Sequence, residues 1–328
     1  MAIMTYSMAL ALGMSEEMRR DPNVIMIGLD IGAYGGAFGA TKGMFEEFGC
    51  DRVMCMPISE AGYTGSAVGA AMTGMRPVVE LEFGDWCTIA SDQMVNQAAN
   101  LCYMTGGQVS VPMVLRLPCG GFGSAAAQHS HMFESWFAFI PGLKVVSPST
   151  PAEAKGLIKS AIRDNSPVVF TEHRLCYQMK GEVPEDTEYT VPIGKADIKR
   201  SGSDITIVTY SYMVHLALKA ADILADEGIS VEVVDLRTIR PMDTETILQS
   251  VKKTSKVICL QETYGTCGVV AEVAAIIAEH GFDYLDAPVK RLTGMECPVP
   301  FSPDLEREAL PSVEKIVASV RGFFSRRK

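Results

Sequence analysis

The sequence predicts two successive α/β domains built on parallel sheets, and three observations carry that expectation. Short apolar runs alternate with helix-period segments through most of the chain, the pattern of parallel strands joined by crossover helices. The alternation lapses in a polar stretch over residues 174–203 and then restarts. The chain's 328 residues are enough for two full cores at about 150 residues per domain.

The first domain is read over residues 1–190. Met1–Met14 is uncharged, but no basic region precedes Ala9-Leu10-Ala11, and Ser15–Arg20 continues it as an amphipathic helix, so it is read as a helix and not a leader. Strands are expected at Val24–Ile31, Pro77–Phe83, Pro112–Leu117, Leu143–Ser147 and Pro167–Glu172. Helices are expected at Thr41–Phe48, Thr64–Met72, Ala90–Met104 and Ala152–Arg163. Asp164-Asn165-Ser166-Pro167 stops the last of these, because a proline disfavours helical geometry in the residue before it. A linker is placed at 191–203, ending in Lys199-Arg200-Ser201-Gly202-Ser203.

The second domain, 204–328, repeats the alternation. Strands are expected at Ile205–Tyr210, Val231–Asp235 and Lys256–Leu260, with helices at Met213–Asp226, Thr244–Lys253, Val269–His280 and Ser312–Phe324.

Composition narrows the function classes. Twenty-nine basic against 39 acidic side chains give a net charge of −10, which offers no general attraction to nucleic acid or anionic lipid but could attract a basic protein. No run of 18 apolar residues occurs, so no membrane span is expected. Nine cysteines without a CxxC pair point to reduced thiols in a cytoplasmic protein, not to a disulfide framework or zinc ribbon.

Two segments could carry chemistry. In Pro57-Ile58-Ser59-Glu60-Ala61-Gly62 a lone carboxylate heads a helix made mostly of Gly, Ala and other small residues up to Ala71. Glu60 is either a simple favourable anion at a helix N-terminus or a functional carboxyl where a helix must pack closely. Gln128-His129-Ser130-His131 follows the glycine- and alanine-rich run Gly120–Ala127. A histidine on a loop after an α/β strand suits proton transfer. The alternatives are a surface histidine or a zinc pair, and zinc would need further clustered ligands. The Gly28–Gly36 turn matches neither dinucleotide nor phosphate-loop patterns, and no G-x-S-x-G elbow occurs.

Taken in order, Ile58–Gly62, Ala67–Ala71, Asp92-Gln93, Ala127–Ser130, Pro141–Val146, Ile162–Asn165 and Val234–Pro241 resemble the β subunit of thiamine-diphosphate-dependent 2-oxoacid dehydrogenases. That family includes the pyruvate, branched-chain 2-oxoacid and acetoin dehydrogenase first components. The resemblance covers nearly the whole chain. It implies a parallel-sheet pyrimidine-binding domain followed by a transketolase C-terminal-type domain, with thiamine diphosphate shared with an α subunit. The α subunit of such enzymes brings a Gly-Asp-Gly…Asn segment that holds magnesium and the diphosphate, and this sequence lacks that segment.

Residue by residue, the resemblance implies that Glu60 hydrogen-bonds the pyrimidine ring and that His129 moves a proton during acyl transfer to a lipoyl group. Leu29, Ile58, Ser59, Glu82 and Trp86 join Glu60 around the cofactor. Carbonyls of Met113, Ala161, Ile162, Asp164 and Ser166 would hold potassium. Implied partners are an α subunit, in a heterotetramer of two α and two β chains, and a lipoyl acyltransferase. The chain departs from the family at Leu29, where an acid is usual, at Cys55-Met56 in place of Asp-Thr, at Glu82 in place of Gln, and at Trp86 in place of Phe or Tyr.

Two other functions are weighed. Half of a split transketolase-like enzyme would act on sugar phosphates, and a scaffold subunit would only assemble a complex. The Gln128-His129-Ser130 and Asp235–Pro241 runs speak for the dehydrogenase over the first, and Glu60 with His129 over the second. Substrate choice stays open among pyruvate, acetoin and branched 2-oxoacids.

Overall fold

A computed structural model describes residues 1–325 and divides them into two compact units. One holds Met1–Cys119 and Met132–Ile193; the other holds Gly120–His131 and the chain from Gly194 onward. The histidine loop thus clusters with the later part of the chain.

In the first unit, parallel strands lie side by side in the order Lys144–Val146, Val168–His173, Val114–Cys119, Arg76–Glu80, Val24–Gly28 and Val53–Cys55. Apart from the edge strand Val53–Cys55, where Cys55 is exposed, their apolar residues are buried on both faces, as parallel strands between helical layers require. The order fixes where a ligand can bind. From Val24–Gly28 the chain moves outward to Val53–Cys55, then returns to Arg76–Glu80 on the other side and continues away from it. The strand order therefore reverses between Val24–Gly28 and Arg76–Glu80. In open α/β sheets the carboxyl ends of strands at such a reversal border a crevice. An antiparallel pair, Ala2–Thr5 with Lys180–Val183, completes the unit. Each of these strands is four residues long and its partner is remote in sequence, so local patterning gave no sign of them.

Helix Pro151–Arg163 begins with a capping box: Thr150 accepts from the Glu153 amide, Glu153 accepts from the Thr150 amide, and Pro151 opens the first turn. It packs against helix Tyr6–Arg20. Their approach is close, since a Cβ at Gly13 would lie 2.7 Å from Ile158 Cγ2 and 3.0 Å from the Lys155 carbonyl. Charges are buried in this contact but paired: Lys155 and Lys159 meet Glu16, and Arg163 meets Glu17 at 2.7 Å.

Two expected helices differ in detail. The one expected from Thr64 starts at Glu60, although Gly62 and Gly65 lower its intrinsic propensity. Cβ atoms at these two glycines would lie 2.5 Å from Ser59 Oγ and 2.9 Å from Gln93 Oε1, side-chain atoms that a larger residue would have to displace. The single helix expected over Ala90–Met104 is three segments, with a π-helical turn Gln93–Ala98 between Cys87–Asp92 and Ala99–Met104.

The second unit is a five-stranded sheet in the order Lys290–Gly294, Val257–Tyr264, Ile205–Thr209, Val231–Asp235 and Asp197–Arg200, the last strand antiparallel. Its core joins Ile207, Val233, Ile258 and Leu260 on the strands to Leu216, Ala220 and Leu224 of helix Met213–Asp226 and Ile316 and Val320 of helix Val313–Phe324. The edge strand Asp197–Arg200 lies within the stretch read as a linker, and its polar, half-buried face explains why it lacked a strand pattern. Strand Lys290–Gly294 and helix Pro303–Ala309 were likewise not foreseen.

Candidate active site

Three neighbouring strands deliver the site of the first unit. Gly28 is in register with both Glu80 and Cys55. The residues that leave these strand ends, Leu29-Asp30, Met56–Glu60 and Leu81-Glu82, therefore emerge side by side at the strand-order reversal. Gly28 is needed for that spacing, because a Cβ there would lie 2.9 Å from the Glu80 carbonyl.

Glu60 occupies the first turn of helix Glu60–Met72 and is only 5% exposed. Its carboxyl accepts no hydrogen bond from any described residue. One turn later, the buried hydroxyls of Tyr63 and Thr64 also lack a hydrogen-bond partner. Burial, and then the charges of Glu60, Glu82 and Glu80, push the Tyr63 hydroxyl well above its ordinary range. It is a proton donor with no acceptor among the described residues.

Asp30 is a site residue the sequence reading missed. Leu29, where an acid was expected, is half-buried, and the acid instead stands one position later. Asp30 has φ of 54°, a left-handed conformation unusual for a non-glycine residue. Its charge acts on Glu82, whose carboxyl is raised by burial first, then by Asp30, then by Glu60. Ile58 and Ser59 are exposed at the helix entrance, Ile58 at 79%. Trp86 closes the short turn Gly84–Trp86 and meets Phe83 edge-on with ring centroids 5.5 Å apart.

Beneath this rim lies a buried ionic group that sequence alone did not reveal. Arg116 makes a bidentate contact with Glu172 at 2.7 and 2.8 Å and also bonds Glu80. Tyr177 donates to Glu172 at 2.6 Å. Burial pushes Glu80 up, with Arg116 opposing. Adjacent strands carry the three charges, so their alignment depends on register, which a linear motif does not show.

His129 belongs to the second unit, on a loop with a strained backbone. Phe122, Ser124 and Ala126 all have φ between 50° and 62°. Two distant carboxylates hold the loop: Gly121 donates its amide to Glu262 at 2.6 Å, and Ser124 donates to Glu306 at 3.0 Å. Glu262 and Glu306 are 141 and 182 residues from their partners, beyond any local pattern. Glu60 and His129 thus lie in different units.

Four of the five expected potassium carbonyls already serve other groups. Met113 O accepts from the Val168 amide at 2.9 Å and Ala161 O from Asp164 at 3.3 Å. Arg76 Nη1 donates to Ile162 O at 2.8 Å and Asp164 O at 2.9 Å. A guanidinium therefore already supplies positive charge at this helix end, leaving each carbonyl a second lone pair. Among the described residues, no three His, Cys, Asp or Glu side chains converge to hold a metal ion.

Comparison with known proteins places this arrangement. Residues 2–180 match the transketolase pyrimidine binding domain and residues 194–316 the transketolase C-terminal domain. The chain is 47% identical over 323 residues to the 2-oxoisovalerate dehydrogenase subunit beta of Bacillus subtilis, covering 98% of both chains. It is 47% identical to the mitochondrial pyruvate dehydrogenase E1 component subunit beta-1 of Arabidopsis thaliana, covering 98% of this chain and 90% of that one. It is 46% identical to the acetoin:2,6-dichlorophenolindophenol oxidoreductase subunit beta of Bacillus subtilis, covering 96% of each. The chain belongs to the β-subunit family of 2-oxoacid and acetoin dehydrogenases. A solved split-gene transketolase, described as an inactive beta4 tetramer, covers 99% of this chain with a TM-score of 0.79 at 21% identity, a likeness of fold. The dehydrogenase β-subunit expectation is thereby upheld over the sugar-phosphate and scaffold alternatives. No helix among the described residues is long and apolar enough to cross a membrane.

Proposed function

We propose that this β subunit supplies the pyrimidine half of a thiamine diphosphate site that an α subunit completes in a heterotetramer of two α and two β chains. The observation that carries this reading is Glu60, a buried carboxyl without a hydrogen-bond partner among the described residues, at the strand-order reversal of a pyrimidine-binding domain. The neighbouring Tyr63 and Thr64 hydroxyls, buried and unpartnered, fit a polar ring that arrives from outside.

Thiamine diphosphate, when bound, supplies the nucleophilic carbon and the electron sink for decarboxylating a 2-oxoacid or cleaving acetoin. Glu60 holds a proton at the pyrimidine N1′ nitrogen, which makes the ring's amino group more basic. Trp86 offers an aromatic face to the ring. Leu29, Ile58, Ser59 and Glu82 border the same crevice. His129 moves a proton as the acyl group passes to a lipoyl group. Magnesium and the diphosphate fall to the α subunit, since this sequence lacks the Gly-Asp-Gly…Asn segment. A lipoyl acyltransferase receives the acyl group, and the acidic chain favours a basic docking partner. The carbonyls of Met113, Ala161, Ile162, Asp164 and Ser166 would hold potassium, which would add positive charge to a helix end that Arg76 already serves. Nine free cysteines agree with a cytoplasmic setting.

The test is reconstitution. The chain mixed with its α subunit, thiamine diphosphate and magnesium should reduce an artificial electron acceptor with a 2-oxoacid or acetoin, and neither subunit should do so alone. Turnover of a sugar phosphate instead, with none of those substrates, contradicts the assignment.

A further inference from the structure

The glycine-rich turn that follows strand Val24–Gly28 fits no phosphate-binding pattern and has no part in the mechanism above. Its shape is nonetheless well defined. The Gly36 amide donates to the Asp30 carbonyl at 3.0 Å, and the Thr41 amide to the Gly35 carbonyl at 3.0 Å. The Thr41 hydroxyl donates to the Ile31 carbonyl, also at 3.0 Å. Gly36 has φ of 81° and lies against the buried ionic group, where a Cβ would come within 2.9 Å of Glu80 Oε1. Both the backbone angle and the close approach call for glycine. Two residues later the turn presents Phe38.

Phe38 stands between two parts of the first unit. On one side its ring centroid is 5.7 Å from that of Tyr177. Tyr177 donates its hydroxyl to Glu172 at 2.6 Å, and Arg116 holds that same carboxylate. On the other side Phe38 meets Phe83 edge-on, with centroids 5.4 Å apart and rings at 82°. Phe83 in turn meets Trp86 at 5.5 Å, and the Arg174 guanidinium lies 5.4 Å from the Phe83 centroid. The short turn that carries Trp86 is closely seated as well, since a Cβ at Gly84 would lie 3.0 Å from Cys119 Cβ. Tyr177, Phe38, Phe83 and Trp86 are therefore a continuous series of rings. One end rests on the Arg116 ion pair, and the other is a half-buried indole.

We propose that Phe38 is a positioning residue of the Glu60 site, holding the Trp86 indole through Phe83 in the orientation that receives the cofactor's ring. This rests on the assignment of thiamine diphosphate and of Trp86 to that site, and adds a determinant to it. Edge-to-face ring pairs favour a limited set of angles. A fixed Phe38 therefore restricts Phe83, and Phe83 restricts Trp86. With Phe38 removed the indole samples more orientations, and only a fraction of them admit the cofactor. Apparent affinity falls by that fraction. Once the cofactor is bound the site is restored, so turnover at saturating cofactor is unaffected.

The experiment titrates thiamine diphosphate, with magnesium, into the reconstituted α–β complex by calorimetry, and measures turnover at saturating cofactor alongside. Phe38→Ala should raise the dissociation constant on the order of tenfold, while saturated turnover stays within about twofold of native. Phe38→Leu keeps apolar bulk without a ring and should weaken binding severalfold; it carries the test if Phe38→Ala does not fold. Phe38→Tyr keeps the ring and should bind as the native complex does. A double-mutant cycle with Trp86→Ala asks whether Phe38 acts through the indole. Trp86→Ala should itself weaken binding, and adding the Phe38 change to it should cost little more. Native affinity in both Phe38→Ala and Phe38→Leu overturns the proposal. So does fully additive weakening in the double variant, or a loss of saturated turnover with affinity unchanged, the signature of a merely structural role. Each of these leaves the Glu60 assignment intact, whereas a native complex that binds no thiamine diphosphate overturns both.

Discussion

Replacing Glu60 by glutamine removes one ionisable oxygen while keeping side-chain size and shape. The structure sets what that change should cost. Glu60 is 5% exposed and its carboxyl accepts no hydrogen bond from the described residues, so the substitution breaks no hydrogen bond among them. Stability should therefore move by no more than about 0.5–1 kcal/mol, typical of a substitution that neither opens a cavity nor strands a partner. The chemical cost is separate. Proton transfer by a positioned side chain contributes about 100- to 10,000-fold, equal to roughly 3–5 kcal/mol at the transition state. The Glu60→Gln heteromer should thus melt within a few degrees of the native one, assemble normally, and lose on the order of 100-fold or more in turnover. The assay is 2-oxoacid decarboxylation with an artificial electron acceptor, alongside calorimetry and sizing of the complex. Near-native turnover by an intact Glu60→Gln complex would refute the reasoning.

Three further outcomes are expected. His129→Ala should depress acyl transfer to lipoyl groups more than decarboxylation with an artificial acceptor; an equal fall in both assays would move His129 to an earlier step. Arg116→Met should destabilise the chain by about 3–5 kcal/mol, because Glu80 and Glu172 are left buried without their cation. That penalty should shrink as pH falls, since burial already pushes Glu80 upward and protonation relieves it; denaturant melts across acidic pH check the sign. Exchanging potassium for a large organic cation should lower the melting temperature of the heteromer, and an unchanged curve would assign that helix end to Arg76 alone.

Sequence patterning revealed most of the large elements because both sheets are buried. Runs such as Val24–Gly28 and Ile205–Thr209 are wholly apolar or β-branched and stand between amphipathic helices. Glu60 was legible because a carboxyl among small residues is conspicuous, and His129 because histidine is scarce. What escaped depends on contacts across the chain. The antiparallel pair of Ala2–Thr5 and Lys180–Val183 has no local signal. Asp30 looked like part of a glycine-rich turn, and only its left-handed backbone and its effect on Glu82 bring it to the site. Arg116 sits in an otherwise apolar strand, and its meaning comes from Glu80 and Glu172 on the strands either side.

The central claim is that this chain carries half of a cofactor site, and a binding titration tests it most directly. Thiamine diphosphate with magnesium should bind the isolated chain weakly. Adding the α subunit should restore affinity to the micromolar range or better, an association free energy of roughly −8 kcal/mol. Tight, magnesium-dependent binding by the isolated chain would contradict the account.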